Sequence, residues 1–399
     1  MQRMGSMKIL LANFTKMVND SGGLAKVTSA FANEMVKRGH EVSILYSDEK
    51  TGDFFYPVVK QVHCYNLKRN QDDSIIRFPI YLKAVREGMR VIGKRPARTV
   101  NSWFEENNLQ DNLKYYLDII KPEIIVSYQP AASKLLLCDL KYDIPVITMS
   151  HGDPEDYFHI YPVKEIPSLE KSAICQVLMP SFEQHIKNHL PDVKTITIGN
   201  AIPQFDFSAD LAADKKQYKV IFVGRLTKNH KRPHLLVQAF TKLADKYPNW
   251  ILELWGAKDR VAYYKELEHM ISFANLSDRI FIKGATDKVP EKLREADIFA
   301  FPSAFEGFGM ALAEGMSVGL PAIGYKNCPA VNELIKDGET GFLCDDGVEA
   351  LEKALDKLMG DKELRIKLGK AAKADMAQFA PEKIWDQWEE LMGIVKGRK

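Results

Sequence analysis

The fold is decided by residues 8–46, which read KILLANFTKMVNDSGGLAKVTSAFANEMVKRGHEVSILY. Lys8–Ala12 is a short apolar run that predicts a strand, and a polar loop with two adjacent glycines follows it. Leu24–Lys37 carries apolar residues on one face at helical spacing, and Glu41–Tyr46 predicts a second strand. This order of strand, glycine-containing loop, helix and strand is the repeating unit of a parallel sheet.

The same order begins again in the second half of the chain. Lys219–Gly224 predicts a strand, the loop that follows is polar and basic, and a helix is expected from Pro233 to about Tyr247. Between the halves, Gln204–Gln217 is polar and has no clear period, so the domain junction is placed just before or within it. Further strands are expected at Ile124–Ser127, Pro145–Met149, Leu178–Pro180, Thr195–Ile198, Ile251–Trp255, Arg279–Lys283, Asp297–Phe301 and Pro321–Tyr325.

Composition limits the class of protein. The chain has 399 residues, 46% hydrophobic and 27% charged, which is typical of a globular protein of two or three domains. Its net charge of +2 argues against a nucleic-acid partner. The five cysteines are scattered, with no His/Cys cluster at zinc spacing, which favours reduced thiols in a cytoplasmic protein. The first residues are few and polar, which does not fit a signal peptide. Met7 is a candidate natural start, with residues 1–6 as an expression remnant. No run reaches the ~18 apolar residues that a membrane span needs.

The strongest local motif is Ser303–Gly315, SAFEGFGMALAEG. A strand is expected to end near Ser303, Glu306 to lie in the loop, and a helix to begin near Phe308. The backbone N–H groups of the first helical turn would then be available to a phosphate, and Glu314 would follow within the helix among small and apolar residues. A lone glutamate is usually solvated, but two of them at a strand-to-helix turn favour a binding site. The four residues that offer the N–H groups are Phe308, Gly309, Met310 and Ala311.

Two further loops carry weaker signals. Arg225 stands at the end of a predicted strand and Lys231 just before the next helix, where two cations could hold a diphosphate. A solvated basic loop is the alternative. Gly22 and Gly23 precede a helix and would let a ligand approach the backbone, but they do not form the G-x-G-x-x-G pattern, so a dinucleotide cofactor is disfavoured.

With these motifs in place, the chain resembles the retaining glycosyltransferases of family 4, which have the GT-B fold. The resemblance covers nearly the whole chain. It rests on the Gly22–Gly23 loop, His151 after a strand, Gly199–Asn200, Gly224–Arg225 with Lys231, the pair Glu306 and Glu314, and Glu333 with Gly338 and Gly341. One departure is Cys328–Glu333, a stretch that is often richer in glycine in the family.

The resemblance implies two Rossmann-like domains facing a cleft, an acceptor domain at 7–203 and a nucleotide-sugar domain at 218–380. It also implies that a helix at 381–399 crosses back to the first domain, a docking for which Trp385 and Trp388 are suited. By the same resemblance, Arg225 and Lys231 hold the donor diphosphate, Glu306 contacts the sugar hydroxyls and Glu314 contacts the ribose. His151 lies beside the sugar, with Gly22 and Gly23 near the phosphates. An ordinary histidine at a strand end is the alternative for His151.

The expected function is transfer of a sugar, with retention, from a nucleotide-sugar donor, preferably a UDP-sugar, to a glycan or lipid-linked glycan. No D-x-D motif occurs, so neither a metal nor another cofactor is expected. A nucleotide-sugar epimerase or phosphorylase of the same fold is one alternative, and an epimerase would act without an acceptor. A non-catalytic sugar-binding subunit is another, although Glu306 and Glu314 argue against it.

A basic amphipathic stretch at Arg77–Arg98 bears on the acceptor. Seven arginines and lysines with a single acid interleave there with apolar residues, a pattern that favours contact with an anionic bilayer. A peripheral enzyme at the cytoplasmic face of the membrane is one expectation. An ordinary helix whose apolar face is core is the other.

Overall fold

The computed structural model describes residues 5–397, so Met1–Met4, the first part of the proposed expression remnant, lie outside the described residues. The chain divides into two compact units. Unit 1 comprises the residues up to Gly199 together with those from Trp385 onward, and unit 2 is Asn200–Ile384.

Unit 1 is built on a seven-stranded parallel sheet. Its strands are β1 (Lys8–Asn13), β2 (Glu41–Tyr46), β3 (His63–Asn66), β4 (Ile124–Ser127), β5 (Val146–Met149), β6 (Ile174–Val177) and β7 (Thr195–Thr197). They lie in the order β3-β2-β1-β4-β5-β6-β7, and every neighbouring pair is parallel. The central strands are buried on both faces, as expected for a sheet covered by helices on each side.

Eight α-helices connect these strands. They are α1 (Gly23–Lys37), α2 (Ile80–Ile92), α3 (Lys94–Asn108), α4 (Gln110–Ile120), α5 (Pro130–Lys134), α6 (Glu155–His159), α7 (Ile166–Lys171) and α8 (Pro180–Lys187). A π-helical turn at Leu135–Asp139 continues α5, and a 3₁₀ turn at Val163–Glu165 precedes α7.

Unit 2 repeats the architecture with six parallel strands. Its strands are β8 (Tyr218–Val223), β9 (Trp250–Trp255), β10 (Ile280–Gly284), β11 (Ile298–Phe301), β12 (Ala322–Tyr325) and β13 (Gly341–Cys344), in the order β10-β9-β8-β11-β12-β13. Its helices are α9 (Pro233–Leu243), α10 (Val261–Phe273), α11 (Val289–Arg294), α12 (Met310–Ser317), α13 (Val331–Leu334), α14 (Val348–Gly360) and α15 (Lys362–Met376). A 3₁₀ turn at Ala377–Phe379 then precedes the last helix of the chain, α16 (Pro381–Lys396). Two Rossmann-like α/β domains, the predicted fold class, are confirmed.

Most of α16 packs within unit 1. The rings of Trp385 and Trp388 meet Phe31 of α1 edge to face, with centroids 5.4 and 5.0 Å apart. Arg38, just after α1, donates at 2.7 Å to both Asp386 and Glu389. Aromatic pairs of this geometry add to the free energy of burying their surface. The last helix therefore holds α1, the helix that begins beside the two glycines of the first loop.

The linking segment belongs to unit 2. The backbone N–H of Ile202 donates to the carbonyl of Phe379 at 2.8 Å, and that of Ala209 donates to Val318 at 2.9 Å. The second of these bonds joins residues 204–217, just before or within which the junction was predicted, to the residue that follows α12.

Some predicted elements differ from those observed. Leu178–Pro180 is not a strand: β6 ends at Val177, and Pro180, whose fixed φ suits a first helical turn, begins α8. The edge strands β3 and β13 were missed, because one is polar and the other begins with glycine. The second-half helix α9 ends at Leu243 rather than near Tyr247. No helix within residues 5–397 has the length and apolar character to span a membrane.

Candidate active site

Each sheet has one point where the strand order reverses. In unit 2 this point lies between β8 and β11, and in unit 1 between β1 and β4. Ligands of such sheets bind outside the carboxyl ends of the strands at this point. The loops that begin there are 224–232 and 302–309 in unit 2, and 14–22 in unit 1. Most of the predicted site residues lie in or directly after these loops.

The carboxylate of Glu306 is the centre of the unit 2 site. Its Oε1 accepts a hydrogen bond from Ser303 Oγ at 2.6 Å and forms an ion pair with the ammonium of Lys231. His230 Nε2 lies 3.5 Å from the same oxygen. Burial raises the pKa of the Glu306 carboxyl, but hydrogen bonds from His230 and the charge of Lys231 outweigh it, so the pKa is lowered. Glu306 is therefore an ionised, largely buried carboxylate with three oriented partners.

His230 is a site residue that sequence reasoning missed. Its ring stacks on Phe305 with centroids 4.2 Å apart and planes 2° from parallel, and its Nε2 lies 2.8 Å from the Phe305 carbonyl oxygen. These contacts fix the ring beside Glu306. The available signal was a histidine directly before Lys231 in a loop already selected for its charge.

The loop after β8 is held against the loop after β11 by an arginine. Arg232 adopts a left-handed conformation, with φ of 48°, and its Nη1 donates to both carboxylate oxygens of Asp346 at 2.9 Å. Its Nε donates to the carbonyl of Pro302 at 3.1 Å. The guanidinium of Arg232 is thus bound by groups of the protein itself, and Arg232 positions the neighbouring Lys231 opposite Glu306.

Arg225 differs from the other cations of this loop. It is exposed, and no carboxylate within the described part of the chain forms an ion pair with it. It stands directly after the close passage of Gly224 and Gly256, where a Cβ built on Gly256 would come within 1.8 Å of the Gly224 carbonyl oxygen. The backbone that carries Arg225 is therefore fixed, while its guanidinium is available to an anion.

The helix after Glu306 begins later than the sequence predicted. α12 begins at Met310, not near Phe308, because Gly309 has a φ of 85°, which a helix interior excludes. Phe308 is buried and its ring meets Phe379 edge to face at 5.1 Å. Across residues 5–397, no group accepts from the backbone N–H groups of Phe308, Gly309, Met310 or Ala311, so the predicted donors remain available.

Glu314 lies about one turn into α12. It is 8% exposed and stands about 6 Å along the helix axis from Met310. The next residue, Gly315, packs so tightly that a Cβ there would lie 2.6 Å from Cδ2 of Phe299 on β11. This contact seats the helix on the strand and fixes where its first turn points.

Unit 1 places the two glycines at the start of α1. Gly22 is the N-cap and Gly23 the first helical residue, one residue earlier than predicted. A Cβ on Gly23 would meet nothing within 4 Å, so the protein itself does not require glycine there, whereas a close ligand would. Asn13, at the end of β1, is joined to α1 through its Nδ2, which donates to Thr28 Oγ1 at 3.0 Å.

His151 follows β5 in unit 1. Its ring stacks on Tyr128 with centroids 5.1 Å apart and an interplanar angle of 15°. Its Nε2 is buried without a hydrogen-bond partner in the described residues. Burial lowers the pKa of His151 to about 4, so the ring is neutral at pH 7. A neutral imidazole nitrogen with no protein partner is suited to a substrate hydroxyl.

The structure thus brings Arg225, Lys231, Glu306 and the N–H groups of 308–311 to neighbouring loops of one sheet, with Glu314 in the adjoining helix. Gly22, Gly23 and His151 lie at the carboxyl ends of strands in the other sheet.

Comparison with known proteins gives a family match for the second unit. Residues 203–375 match the family described as glycosyl transferases group 1. This range contains Arg225, Lys231, Glu306 and Glu314.

Curated relatives extend the similarity to the first unit. The amylovoran biosynthesis glycosyltransferase AmsD of Erwinia amylovora is 29% identical over 94% of this chain and 97% of its own length. Two other relatives match about half of this chain, which spans 21% and 48% of their lengths.

Solved structures share the fold of the whole chain. Sucrose-phosphate synthase from Thermosynechococcus elongatus superposes with a TM-score of 0.76 at 17% identity, covering 98% of this chain and 99% of that one. HepE of Anabaena, solved in complex with UDP and glucose, superposes with a TM-score of 0.67 at 17% identity, covering 97% and 99%. At this identity the likeness establishes the GT-B fold alone.

Proposed function

We propose that the chain, whose residues 203–375 match the family described as glycosyl transferases group 1, transfers a sugar from a nucleotide-sugar donor to a glycan or lipid-linked glycan. AmsD, a relative that matches along nearly its whole length, is named for amylovoran biosynthesis. The donor is held by the loops of unit 2.

The arrangement around Glu306 carries this proposal. A buried carboxylate is costly unless it is paired, and here Lys231, Ser303 and His230 all face one of its oxygens. A sugar offers hydroxyl groups that can donate to the remaining oxygen. Arg225 and the N–H groups of Phe308–Ala311 surround the same loop without partners of their own in the described chain. They supply the positive potential that a diphosphate needs.

These residues also account for a reaction step. When the bond between the sugar and the diphosphate breaks, negative charge grows on the departing phosphate. Arg225, Lys231 and the start of α12 stabilise that charge because they are fixed before the reaction begins. Glu306 orients the sugar, and the leaving phosphate assists removal of the acceptor's proton. The sugar then keeps its anomeric configuration, and no metal is required for the step.

A donor screen tests this function. Transfer should be assayed with UDP-, GDP- and ADP-sugars, with and without an acceptor glycan. We propose UDP as the nucleotide, in line with the UDP bound by the fold relative HepE. Conversion of the donor without acceptor into an epimer would instead identify an epimerase. Binding of donors with neither transfer nor hydrolysis would identify a sugar-binding subunit.

We further propose that α2 contacts an anionic membrane, where a lipid-linked acceptor would be found. Only Leu82 of this helix is buried. Its apolar side chains are solvent-exposed instead of core: Ile80 83%, Tyr81 65%, Val85 44%, Met89 37%, Val91 90% and Ile92 76%. Because Lys83, Arg86 and Arg90 lie on the same helix, an anionic bilayer suits both its apolar and its charged side chains.

A further inference from the structure

A second cluster of chemically competent side chains lies in unit 1. Glu155 and His159 stand one turn apart on α6, and His189 follows α8. Both imidazoles present Nε2 to Glu155 Oε1, each at 2.8 Å. The three ligand atoms all lie within 4.8 Å of one another. We propose that Glu155, His159 and His189 form a binding site for a divalent transition metal ion, with Zn²⁺ as the best match.

The ligand set is the first support. Two imidazole nitrogens and one carboxylate oxygen, with a fourth position left to water, form a known zinc coordination pattern. Zinc bonds of about 2.0–2.1 Å in a tetrahedron place neighbouring ligand atoms roughly 3.3 Å apart. The two 2.8 Å contacts would open by about half an ångström, a change within reach of side-chain rotation alone. Imidazole ligands favour Zn²⁺ and its neighbours over Mg²⁺ or Ca²⁺.

The charge around Glu155 is the second support. A lysine or arginine beside a surface carboxylate would compete with a metal ion for it. In the described chain, the ion-pair partners of Glu155 are the two histidines and no lysine or arginine. No lysine or arginine charge therefore occupies the place of a metal ion, and the two imidazoles can bind one without displacing such a charge.

Both segments are held in place by contacts outside the cluster. Phe158 stacks on the His189 ring with centroids 4.0 Å apart and planes 16° from parallel. The Tyr157 hydroxyl donates to Ser150 Oγ at 2.9 Å, and Arg95 donates to the carbonyl of Phe158 and, at 2.9 Å, to that of Tyr161. Asp153 caps the start of α6 through the Glu155 N–H at 2.9 Å and also accepts from His185. Such supporting contacts orient metal ligands and raise affinity.

A bound ion would link two parts of unit 1. Glu155 and His159 lie in the segment that follows His151 after β5, while His189 follows α8 between β6 and β7. The ion would therefore fasten the loop that carries His151 to the helix beside it.

Zn²⁺ titration of the full chain, prepared without a histidine tag, tests the site. A chromophoric chelator in competition should report one equivalent of Zn²⁺ per wild-type chain. His159→Gln and His189→Gln should each lower the affinity by about tenfold or more, since each removes a ligand. His269→Gln is the matched control, because His269 lies on α10 of unit 2 and stacks on Phe273 outside the cluster. It should bind Zn²⁺ as the wild type does.

Two further readouts keep the test decisive. Co²⁺ in the wild type should give the intense visible absorption of four-coordinate cobalt, and the His189→Gln variant should lose it. Zn²⁺ should raise the melting temperature of the wild type but not of the His159→Gln/His189→Gln double variant. Failure of the wild type to bind, equal binding in the ligand variants, or an equal loss in His269→Gln would each overturn the site.

Discussion

Lys231 pairs with Glu306 across the point where the second sheet reverses its strand order, and both side chains are largely buried, 14% and 9% exposed. The Lys231 ammonium also lies 4.6 Å from the centre of the Phe301 ring. An ion pair taken out of water contributes little to stability unless further bonds satisfy it, and Ser303 and His230 do so here. The pair is therefore better suited to binding a charged ligand than to stabilising the fold.

Replacing Lys231 should therefore weaken nucleotide binding. Lys231→Ala should reduce the affinity for UDP by about 1.5–3 kcal/mol, the range for hydrogen bonds to charged groups. Isothermal titration calorimetry measures this directly. The matched control is Lys228→Ala in the same loop, since Lys228 is half-exposed and donates to Glu266 at 2.7 Å. Unchanged UDP affinity in both Lys231→Ala and Arg225→Ala would remove these cations from the donor site.

The two glutamates should separate transfer from nucleotide binding. Glu306→Gln should lower kcat by ~100-fold or more, because it removes a charged group fixed beside the reacting sugar, and should leave UDP affinity nearly unchanged. Glu314→Gln should weaken UDP itself, since the ribose would lose a charged acceptor. Steady-state kinetics together with UDP calorimetry distinguish the two effects. The reverse pattern would show that the roles of Glu306 and Glu314 have been exchanged.

His151 gives a pH dependence with a definite sign. Its pKa is lowered to about 4 in the folded chain by burial, against an ordinary value of 6.5. The unfolded chain therefore binds a proton that the folded chain does not, so stability should fall as the pH drops from about 6.5 towards 4. The slope contributed by this one group is at most about 1.4 kcal/mol per pH unit.

Chemical denaturation of the wild type and of His151→Gln across this range checks the effect. The difference in unfolding free energy between the two should change with pH below 6.5, whereas His269→Gln should follow the wild type in parallel. A constant difference between wild type and His151→Gln would mean that the ring is protonated as readily in the folded chain as in water.

Ala330 offers a test of backbone strain beside the donor loops. It is fully buried and has φ of 65° and ψ of −42°, a region that side-chain-bearing residues rarely adopt. Such a conformation costs of order 1–3 kcal/mol. Ala330→Gly should thus be neutral or stabilise the chain by up to about 1 kcal/mol, although it removes a buried methyl group. Ala372→Gly, within α15, should destabilise it by about 1 kcal/mol. Equal losses of melting temperature in the two variants would contradict the strain.

Ala330 also illustrates how much of the fold could be predicted from the sequence. Cys328–Glu333 departs from a glycine-rich pattern, and Ala330 in that stretch has the backbone angles that glycine would adopt more easily. The central strands of both sheets were predictable because each is a short apolar run. For example, Ile124–Ser127 has the predicted bounds. The edge strand His63–Asn66 was not, since its side chains are polar and it is specified by pairing with β2.

The site was predictable to a similar degree. Charge and spacing pointed to Lys231 and Glu306, but nothing in the sequence showed that they pair. Their contact depends on β8 and β11 being neighbours in the sheet, although Val223 and Ile298 are far apart in the chain. The Glu155, His159 and His189 cluster was missed for the same reason, because His189 lies 30 residues beyond His159 and only the packing of α6 against α8 brings them together.

The exposed helix α2 predicts that the protein binds an anionic membrane, where a lipid-linked acceptor would be located. Full-length protein should co-sediment with vesicles that contain anionic lipid at low salt, and binding should decrease as salt rises, because each basic residue near the surface contributes ~1 kcal/mol that salt screens. The triple variant Lys83→Glu, Arg86→Glu, Arg90→Glu should remain in the supernatant. Val91→Ser with Ile92→Ser, both highly exposed, should weaken binding without altering charge. The matched control is Lys265→Glu on α10 of unit 2, which should bind as the wild type does. A wild-type chain that stays in the supernatant with anionic vesicles at low salt would exclude the membrane contact and favour an acceptor free in solution.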